Sequence, residues 1–246
     1  MADTMTKVWG HRGASGTVPE NTLDAFARAA EMGADGVELD VQLTKDGQIV
    51  VIHDETVDRV SGMRGFVRDR TLSELRELNV SLPRPEYGKV TRIPTLEEVF
   101  DLLKDTGICI NVELKTGIFK YEGIEKKVAD LILRTGYLDR IWCSSFNHES
   151  VLRAKELCPE LRCGLLFEDI MVSPAEYAVR LGVEALHPAT YHFEQDPLYV
   201  AKAKEKGLET HIWTVNEREQ MAALAACGTE AIITNYPDIA LEVLGR

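Results

Sequence analysis

Three carboxylates stand at the ends of short apolar runs, where they could share a cation. Glu38 and Asp40 are two residues apart in a strand-like run, so their side chains point to the same face. Glu113 ends the neighbouring parallel run and can complete the cluster. Carboxylate oxygens favour Mg²⁺ or Ca²⁺ over Zn²⁺. Solvated strand-end charges are the alternative, but three acids on adjacent inward positions favour a metal site.

Two histidines, His11 and His53, also follow apolar runs. Histidine titrates near neutral pH, so two of them beside a metal cluster suggest a general acid and a general base. The alternative is that they are metal ligands, as in barrel hydrolases with a His-x-His strand. That pattern is absent, because the residue two positions after His11 is Gly13.

Two cationic residues, Arg12 and Lys115, are adjacent to these groups in the sequence. A guanidinium and an ammonium in this place would bind and neutralise the non-bridging oxygens of a phosphoryl group. The alternative is plain solvation, or ion pairing with Glu20 and the strand-end acids.

The elements that must position these side chains alternate along the chain. Amphipathic helical patterns separate most of the strand-like runs. This alternation predicts an α/β fold in which helices cover a parallel sheet. In a barrel of this kind the site lies at the carboxyl ends of the strands. The runs are residues 8–10, 36–41, 49–52, 108–112, 141–143, 163–167, 184–186, 211–215 and 231–234.

The second and third runs are too close together to be parallel. A parallel crossover needs about a dozen residues, whereas only residues 42–48 separate these runs, and Asp46-Gly47 is a hairpin turn signal. We therefore expect an antiparallel hairpin, which leaves eight parallel strands for a TIM (β/α)8 barrel. A turn centred on Lys45-Asp46 would place Glu38 directly opposite His53.

Residues 55–95 interrupt the alternation and are predicted to be an insertion over one end of the barrel. We expect a short helix over residues 73–78, capped by Ser73. Because loops of this length are usually lids or disordered segments, the insertion is a candidate wall of the site.

The composition is that of an ordinary globular protein, with 45% hydrophobic and 28% charged residues. We expect a single domain over residues 1–246. The net charge of −12 argues against a nucleic-acid partner, which would require clustered Lys and Arg. There is no signal-like apolar segment at the amino terminus and no run of about 18 apolar residues, so we expect no membrane span. Five cysteines without a Cys-x-x-Cys pair favour a reduced, cytoplasmic protein.

Ordered motifs along essentially the whole chain resemble those of the glycerophosphodiester phosphodiesterases, of the cytoplasmic bacterial type. The resemblance implies a TIM barrel of the phospholipase-C-like phosphodiesterase type. It also implies metal-dependent hydrolysis of a small glycerophosphodiester to sn-glycerol 3-phosphate and an alcohol, by a monomer or homodimer. The motifs that carry it are His11-Arg12-Gly13, Pro19-Glu20-Asn21-Thr22, residues 33–47, Val51-Ile52-His53-Asp54, residues 93–96, 111–115 and 144–146, Trp213-Thr214-Val215-Asn216 and residues 232–235.

The same resemblance implies a role for each site residue. His11 and His53 are similar to the catalytic acid–base pair, and Arg12 and Lys115 to the phosphate contacts. Trp213 resembles the wall beside the glycerol moiety. The three acids Glu38, Asp40 and Glu113 match the ligands of one divalent cation, Mg²⁺ or Ca²⁺.

Several alternatives remain open from the sequence. The nucleophile is either water or the glycerol 2-hydroxyl, which would form a cyclic phosphate, and the sequence does not assign the acid and the base between the two histidines. A lysophospholipase D would need an apolar landing surface, and no exposed basic amphipathic helix indicates one. A catalytically silent binding module is disfavoured because all the acid–base and metal positions are filled.

Overall fold

Eight parallel strands close into a barrel, and a further strand pairs outside it, in the computed structural model, which describes residues 5–246. The strands are β1 (Lys7–His11), β2 (Gly36–Leu43), β3 (Ile49–Val51), β4 (Cys109–Leu114), β5 (Ile141–Ser145), β6 (Arg162–Phe167), β7 (Ala185–Pro188), β8 (Glu209–Ile212) and β9 (Ala231–Thr234). Their order around the barrel is β1-β9-β8-β7-β6-β5-β4-β2, and pairing of β1 with β2 closes the ring. The predicted TIM barrel is confirmed.

Helices surround the barrel and bury their apolar faces against the outer side of the strands. The first begins after Thr22, whose hydroxyl accepts a hydrogen bond from the backbone N–H of Ala25. In the part of the chain that the structure describes, no helix is long and apolar enough to cross a bilayer. The helices are α1 (Leu23–Glu31), α2 (Asp58–Ser61), α3 (Leu72–Arg76), α4 (Leu96–Leu103), α5 (Ile124–Thr135), α6 (His148–Leu157), α7 (Pro174–Leu181), α8 (Thr190–Gln195), α9 (Tyr199–Glu205), α10 (Arg218–Cys227) and α11 (Pro237–Val243).

Strands β2 and β3 form the predicted antiparallel hairpin, but their register differs from the prediction by one residue. Val41 pairs with Val51, so Glu38 is not opposite His53, which lies beyond the end of β3. The connection has three residues rather than two: the N–H of Gly47 donates to the carbonyl of Thr44. Gly47 adopts a φ of 74°, which a glycine takes without strain. The additional loop residue accounts for the shift.

The insertion after β3 packs around its own small core and does not line the cavity at the barrel mouth, contrary to the predicted wall. Its helix α3 begins earlier than predicted, and Thr71 caps it instead of Ser73. The reason is a capping box, in which Thr71 and Glu74 each satisfy a backbone N–H of the other.

Two histidines lie fully buried inside the barrel: His211 packs between Trp9 and Trp142, and His187 packs against Trp142 and His211. Nδ1 of His211 is 2.8 Å from Nε2 of His187, and Nε2 of His211 is 3.0 Å from a carboxylate oxygen of Glu209. Gly164 makes room for this pair, because a Cβ there would lie 2.1 Å from Nε2 of His187. Burial lowers the pKa of His187 well below its ordinary value and lowers that of His211 to about 3.

This buried pair should make the protein less stable in acid. Below pH 6.5 the unfolded chain binds protons that the folded pair does not, so the free energy of unfolding falls by up to about 1.4 kcal/mol per pH unit for each histidine. Urea unfolding between pH 7 and pH 5 measures this slope. His187→Gln should flatten it, whereas His148→Gln, a substitution on α6, should not. Equal slopes in the parent and His187→Gln would contradict the assignment.

Candidate active site

A cavity of ≈ 250 Å³ opens at the carboxyl ends of the barrel strands. Six predicted site residues line it: His11, Arg12, Glu38, His53, Glu113 and Trp213. The other two contact this set directly, since Asp40 lies in the acidic cluster and Lys115 donates to Glu113. The structure therefore brings together all eight side chains. The rest of the lining is Asn111, Phe146, Leu166, Glu168 and Ile233.

The three acids meet because β2 and β4 run side by side in register. Asp40 pairs with Glu113 across the two strands, and Glu38 lies one alternation back on the same face as Asp40. One oxygen from each carboxylate lies within 4.8 Å of the others, and all three side chains are buried. The arrangement provides three oxygen donors for a divalent cation.

The pKa values of these three acids shift in opposite directions, depending on whether burial or positive neighbours dominate. Burial, together with Asp40 and Glu113, raises the pKa of Glu38 well above its ordinary value, and burial raises the pKa of Glu113 as well. Burial acts on Asp40 in the same direction, but the Arg12 cation and other positive neighbours outweigh it and lower the pKa of Asp40. A divalent cation would relieve the repulsion that raises the first two.

Both candidate phosphate contacts are paired with acids at the mouth. Arg12 donates from Nη1 to Glu20 at 2.9 Å, and its Nε lies 3.4 Å from a carboxylate oxygen of Asp40. Lys115 donates from Nζ to Glu113 at 3.0 Å and lies 3.8 Å from Asp40. These are the ion pairs that the sequence offered as the alternative to phosphate binding. They hold the Arg12 and Lys115 side chains beside the acidic cluster.

His11 is held in one tautomer by its neighbours. Its Nδ1 lies 2.7 Å from the side-chain oxygen of Asn235, an acceptor, so Nδ1 carries the proton. The hydroxyl oxygen of Ser15 lies 3.0 Å from that same oxygen and 2.7 Å from the His11 carbonyl oxygen, which share its single hydrogen. Burial, aided by the Arg12 cation, lowers the pKa of His11 to about 4. The ring is therefore neutral at pH 7, with a free lone pair on Nε2.

His53 has a different partner, a carboxylate. Its Nδ1 lies 2.7 Å from Oδ1 of Asp54, so this nitrogen is also the donor. The backbone here is fixed by Gln42, whose amide donates to the carbonyls of Ile52, His53 and Asp54. The Asp54 contact leaves Nε2 as the ring nitrogen without a hydrogen-bond partner among residues 5–246.

Aromatic side chains form another part of the cavity wall. The rings of Phe146 and Trp213 meet edge to face with their centroids 5.5 Å apart. The indole N–H of Trp213 donates to the carbonyl of His187 at 2.7 Å, which fixes the ring beside the cavity.

Sequence reasoning assigned no role to several residues that orient the site. Asn235 directly follows β9, so the rule that sites lie at the ends of the barrel strands indicates it, whereas Asp54 lies three residues beyond the end of β3. Asn21, in the motif of residues 19–22, donates from its amide to Asp40 at 2.8 Å. Arg59, which contacts Asp54, lies in the insertion and carries no pattern that would single it out.

A TIM barrel with two oriented histidines, two cations and an acidic cluster at its mouth defines a class of phosphate-ester hydrolases. A model of the glycerophosphoryl diester phosphodiesterase family matches residues 11–239. The chain belongs to this family, and it is an enzyme of that class, as the resemblance implied.

Relatives match over nearly the full chain. A glycerophosphodiester phosphodiesterase of Caldanaerobacter subterraneus subsp. tengcongensis is 44% identical over 241 residues, which are 98% of each chain. One from Bacillus altitudinis is 37% identical over 97% of this chain and 98% of its own. A solved structure of an Oleispira antarctica phosphodiesterase in complex with the product sn-glycerol-3-phosphate is 29% identical, with a TM-score of 0.86 over 98% of both chains.

Proposed function

We propose that this protein hydrolyses glycerophosphodiesters to sn-glycerol 3-phosphate and an alcohol, in a reaction that depends on a divalent cation and on two histidines. The observation that carries the proposal is the geometry of the two histidines. Asn235 anchors Nδ1 of His11 and Asp54 anchors Nδ1 of His53, which leaves Nε2 of each ring for the substrate, and both residues line one cavity beside the acidic cluster. Family membership and the product-bound relative support the same reaction.

Glu38, Asp40 and Glu113 would hold the cation. All their donor atoms are oxygens, and all three side chains are buried. The pKa values of Glu38 and Glu113 are raised, and a bound cation would lower them again. When bound, Mg²⁺ or Ca²⁺ supplies Lewis-acid polarisation and charge neutralisation at the phosphoryl group.

The protein side chains divide the remaining chemistry between them. Arg12 and Lys115 neutralise the non-bridging oxygens, where charge grows in the transition state. His11 takes a proton from the attacking hydroxyl at Nε2, and His53 gives a proton from Nε2 to the departing alkoxide. The P–O bond to the alcohol breaks as the new P–O bond forms, and Trp213 forms the wall beside the glycerol moiety. Water as the nucleophile gives sn-glycerol 3-phosphate in this one displacement. The glycerol 2-hydroxyl would give a cyclic phosphate, and a second displacement by water would open it to the same product.

The experiment that tests the proposal measures release of sn-glycerol 3-phosphate, coupled to glycerol-3-phosphate dehydrogenase. Glycerophosphocholine and glycerophosphoethanolamine are the substrates, with Mg²⁺ or Ca²⁺ added to EDTA-treated protein. We expect turnover with the diesters and cation. Choline release from lysophosphatidylcholine, with no sn-glycerol 3-phosphate formed from the two diesters, would indicate a lysophospholipase D. Substrate binding without turnover would indicate a silent binding module and would contradict the proposal.

We also propose that residues 1–246 form one domain, which is supported by the pairing of β1 with both β2 and β9. Its free cysteine thiols support a reducing, cytoplasmic location. Light scattering distinguishes a monomer from a homodimer, and both agree with the proposed reaction.

A further inference from the structure

One arginine of the insertion bridges two acids at the barrel mouth. Arg59 on α2 donates from Nε and Nη2 to Asp54, at 2.7 and 3.1 Å. It donates from Nη1 and Nη2 to Glu20, at 2.8 and 2.7 Å. Each carboxylate therefore receives a two-pronged contact, which fixes its orientation as well as its distance.

Each of these acids also holds a side chain of the candidate active site. Asp54 accepts from Nδ1 of His53 at 2.7 Å, and Glu20 accepts from Nη1 of Arg12 at 2.9 Å. The hydrogen bonds form an unbroken series, Arg12–Glu20–Arg59–Asp54–His53. Through it the insertion contacts both the candidate acid and a candidate phosphate contact without lining the cavity.

The series is more than a surface ion pair. An isolated exposed ion pair contributes about 0–1 kcal/mol to the free energy of unfolding. The Arg59 side chain is 43% exposed, so its charge alone would add little. Here, however, one guanidinium orients two carboxylates that are each engaged with another group. Burial would raise the pKa of Asp54, but hydrogen bonds from His53 and Arg59 outweigh it and lower that pKa. Without Arg59, Asp54 would lose the contacts that direct its oxygen toward His53.

We propose that Arg59 is a positioning residue, which orients His53 through Asp54 and Arg12 through Glu20. The inference rests on the proposed function. It predicts two separable effects of losing Arg59. A misoriented acid slows release of a poor leaving group, and a misoriented Arg12 weakens binding of every phosphodiester.

The test uses Arg59→Met, which keeps an unbranched stem and removes the four hydrogen bonds, and Arg59→Lys, which keeps the charge but not the fork. Arg76→Met is the matched control. Arg76 is also in the insertion, 45% exposed, and it contacts a single acid, Glu98. For each variant, kcat and KM are measured on glycerophosphocholine and on the p-nitrophenyl diester of glycerol 3-phosphate, with thermal unfolding alongside.

We expect Arg59→Met to lower kcat on glycerophosphocholine roughly 10- to 100-fold, the scale of a misplaced catalytic group. It should recover most of this loss on the p-nitrophenyl diester, whose alcohol leaves as a stable anion, and KM should rise on both substrates. Arg59→Lys should restore little, and Arg76→Met should match the parent. In a double-mutant cycle with Asp54→Asn, the losses in kcat should not multiply, because both variants disturb the same histidine.

An equal loss in kcat on the two substrates, or kinetics like those of Arg76→Met, would overturn the inference, because a merely structural arginine gives no dependence on the leaving group. Parent protein that releases no sn-glycerol 3-phosphate from either diester would instead overturn the proposed function. The two failures are therefore distinguishable.

Discussion

His53→Ala should hydrolyse glycerophosphocholine about 10²- to 10⁴-fold more slowly than the parent, and His11→Ala should do the same. Neither residue belongs to the apolar core, so both variants should remain folded. The double variant should lose much less than the product of the single losses, because both groups act on one reaction coordinate.

The leaving group separates the roles of these two histidines. An acid is dispensable when the departing alcohol is p-nitrophenol, so His53→Ala should recover substantially on that substrate. His11→Ala should not recover, because the base is still required. The measurement is kcat for each variant on the choline and p-nitrophenyl diesters. Recovery of His11→Ala alone would reverse the assignment, and near-parent turnover by both variants would exclude the two-histidine mechanism.

Removal of the cation should abolish activity, and addition of Mg²⁺ or Ca²⁺ should restore it. Asp40→Asn and Glu113→Gln should each weaken cation binding, measured by calorimetry, by more than about 100-fold, since loss of even an indirect partner of a metal site costs 10- to 100-fold. Asp130→Asn, an exposed acid of α5 outside the cluster, is the matched control. Full turnover after exhaustive chelation would rule out the metal assignment.

The cation site can also be tested without an activity assay, by measuring stability against urea. Folding raises the pKa of Glu38, so at neutral pH this carboxyl group opposes folding. The chelated Glu38→Gln variant should therefore resist urea better than the chelated parent. Added cation should stabilise the parent and have little effect on the variant.

The order of elements and the residues of the site follow from the sequence because both depend on local pattern. Alternation of apolar runs specifies which segments become strands, and polar residues at their ends mark the mouth. Glu38, Asp40 and Glu113 meet for that reason: β2 and β4 are neighbours, and alternation fixes which side chains face inward.

The features that were missed depend on details that such patterns do not encode. One additional residue in the turn at Gly47 shifts the register of the hairpin. The hydrogen-bond partners that orient the site come together only in the folded chain. Asn235 is 224 positions from His11, and Arg59 reaches Glu20 across 39 positions. Composition and spacing do not specify contacts between residues so far apart in the sequence.

The bond between His11 and Asn235 also bears on how the enzyme matures. A ribosome delivers the chain from its amino terminus, so both histidines and all three acids emerge well before Asn235. The last strand, β9, both closes the barrel against β1 and brings the amide that sets the tautomer of His11. A nascent chain that lacks β9 thus contains both histidines and all three acids but lacks the partner that orients His11. We therefore expect no hydrolysis before β9 has joined the barrel.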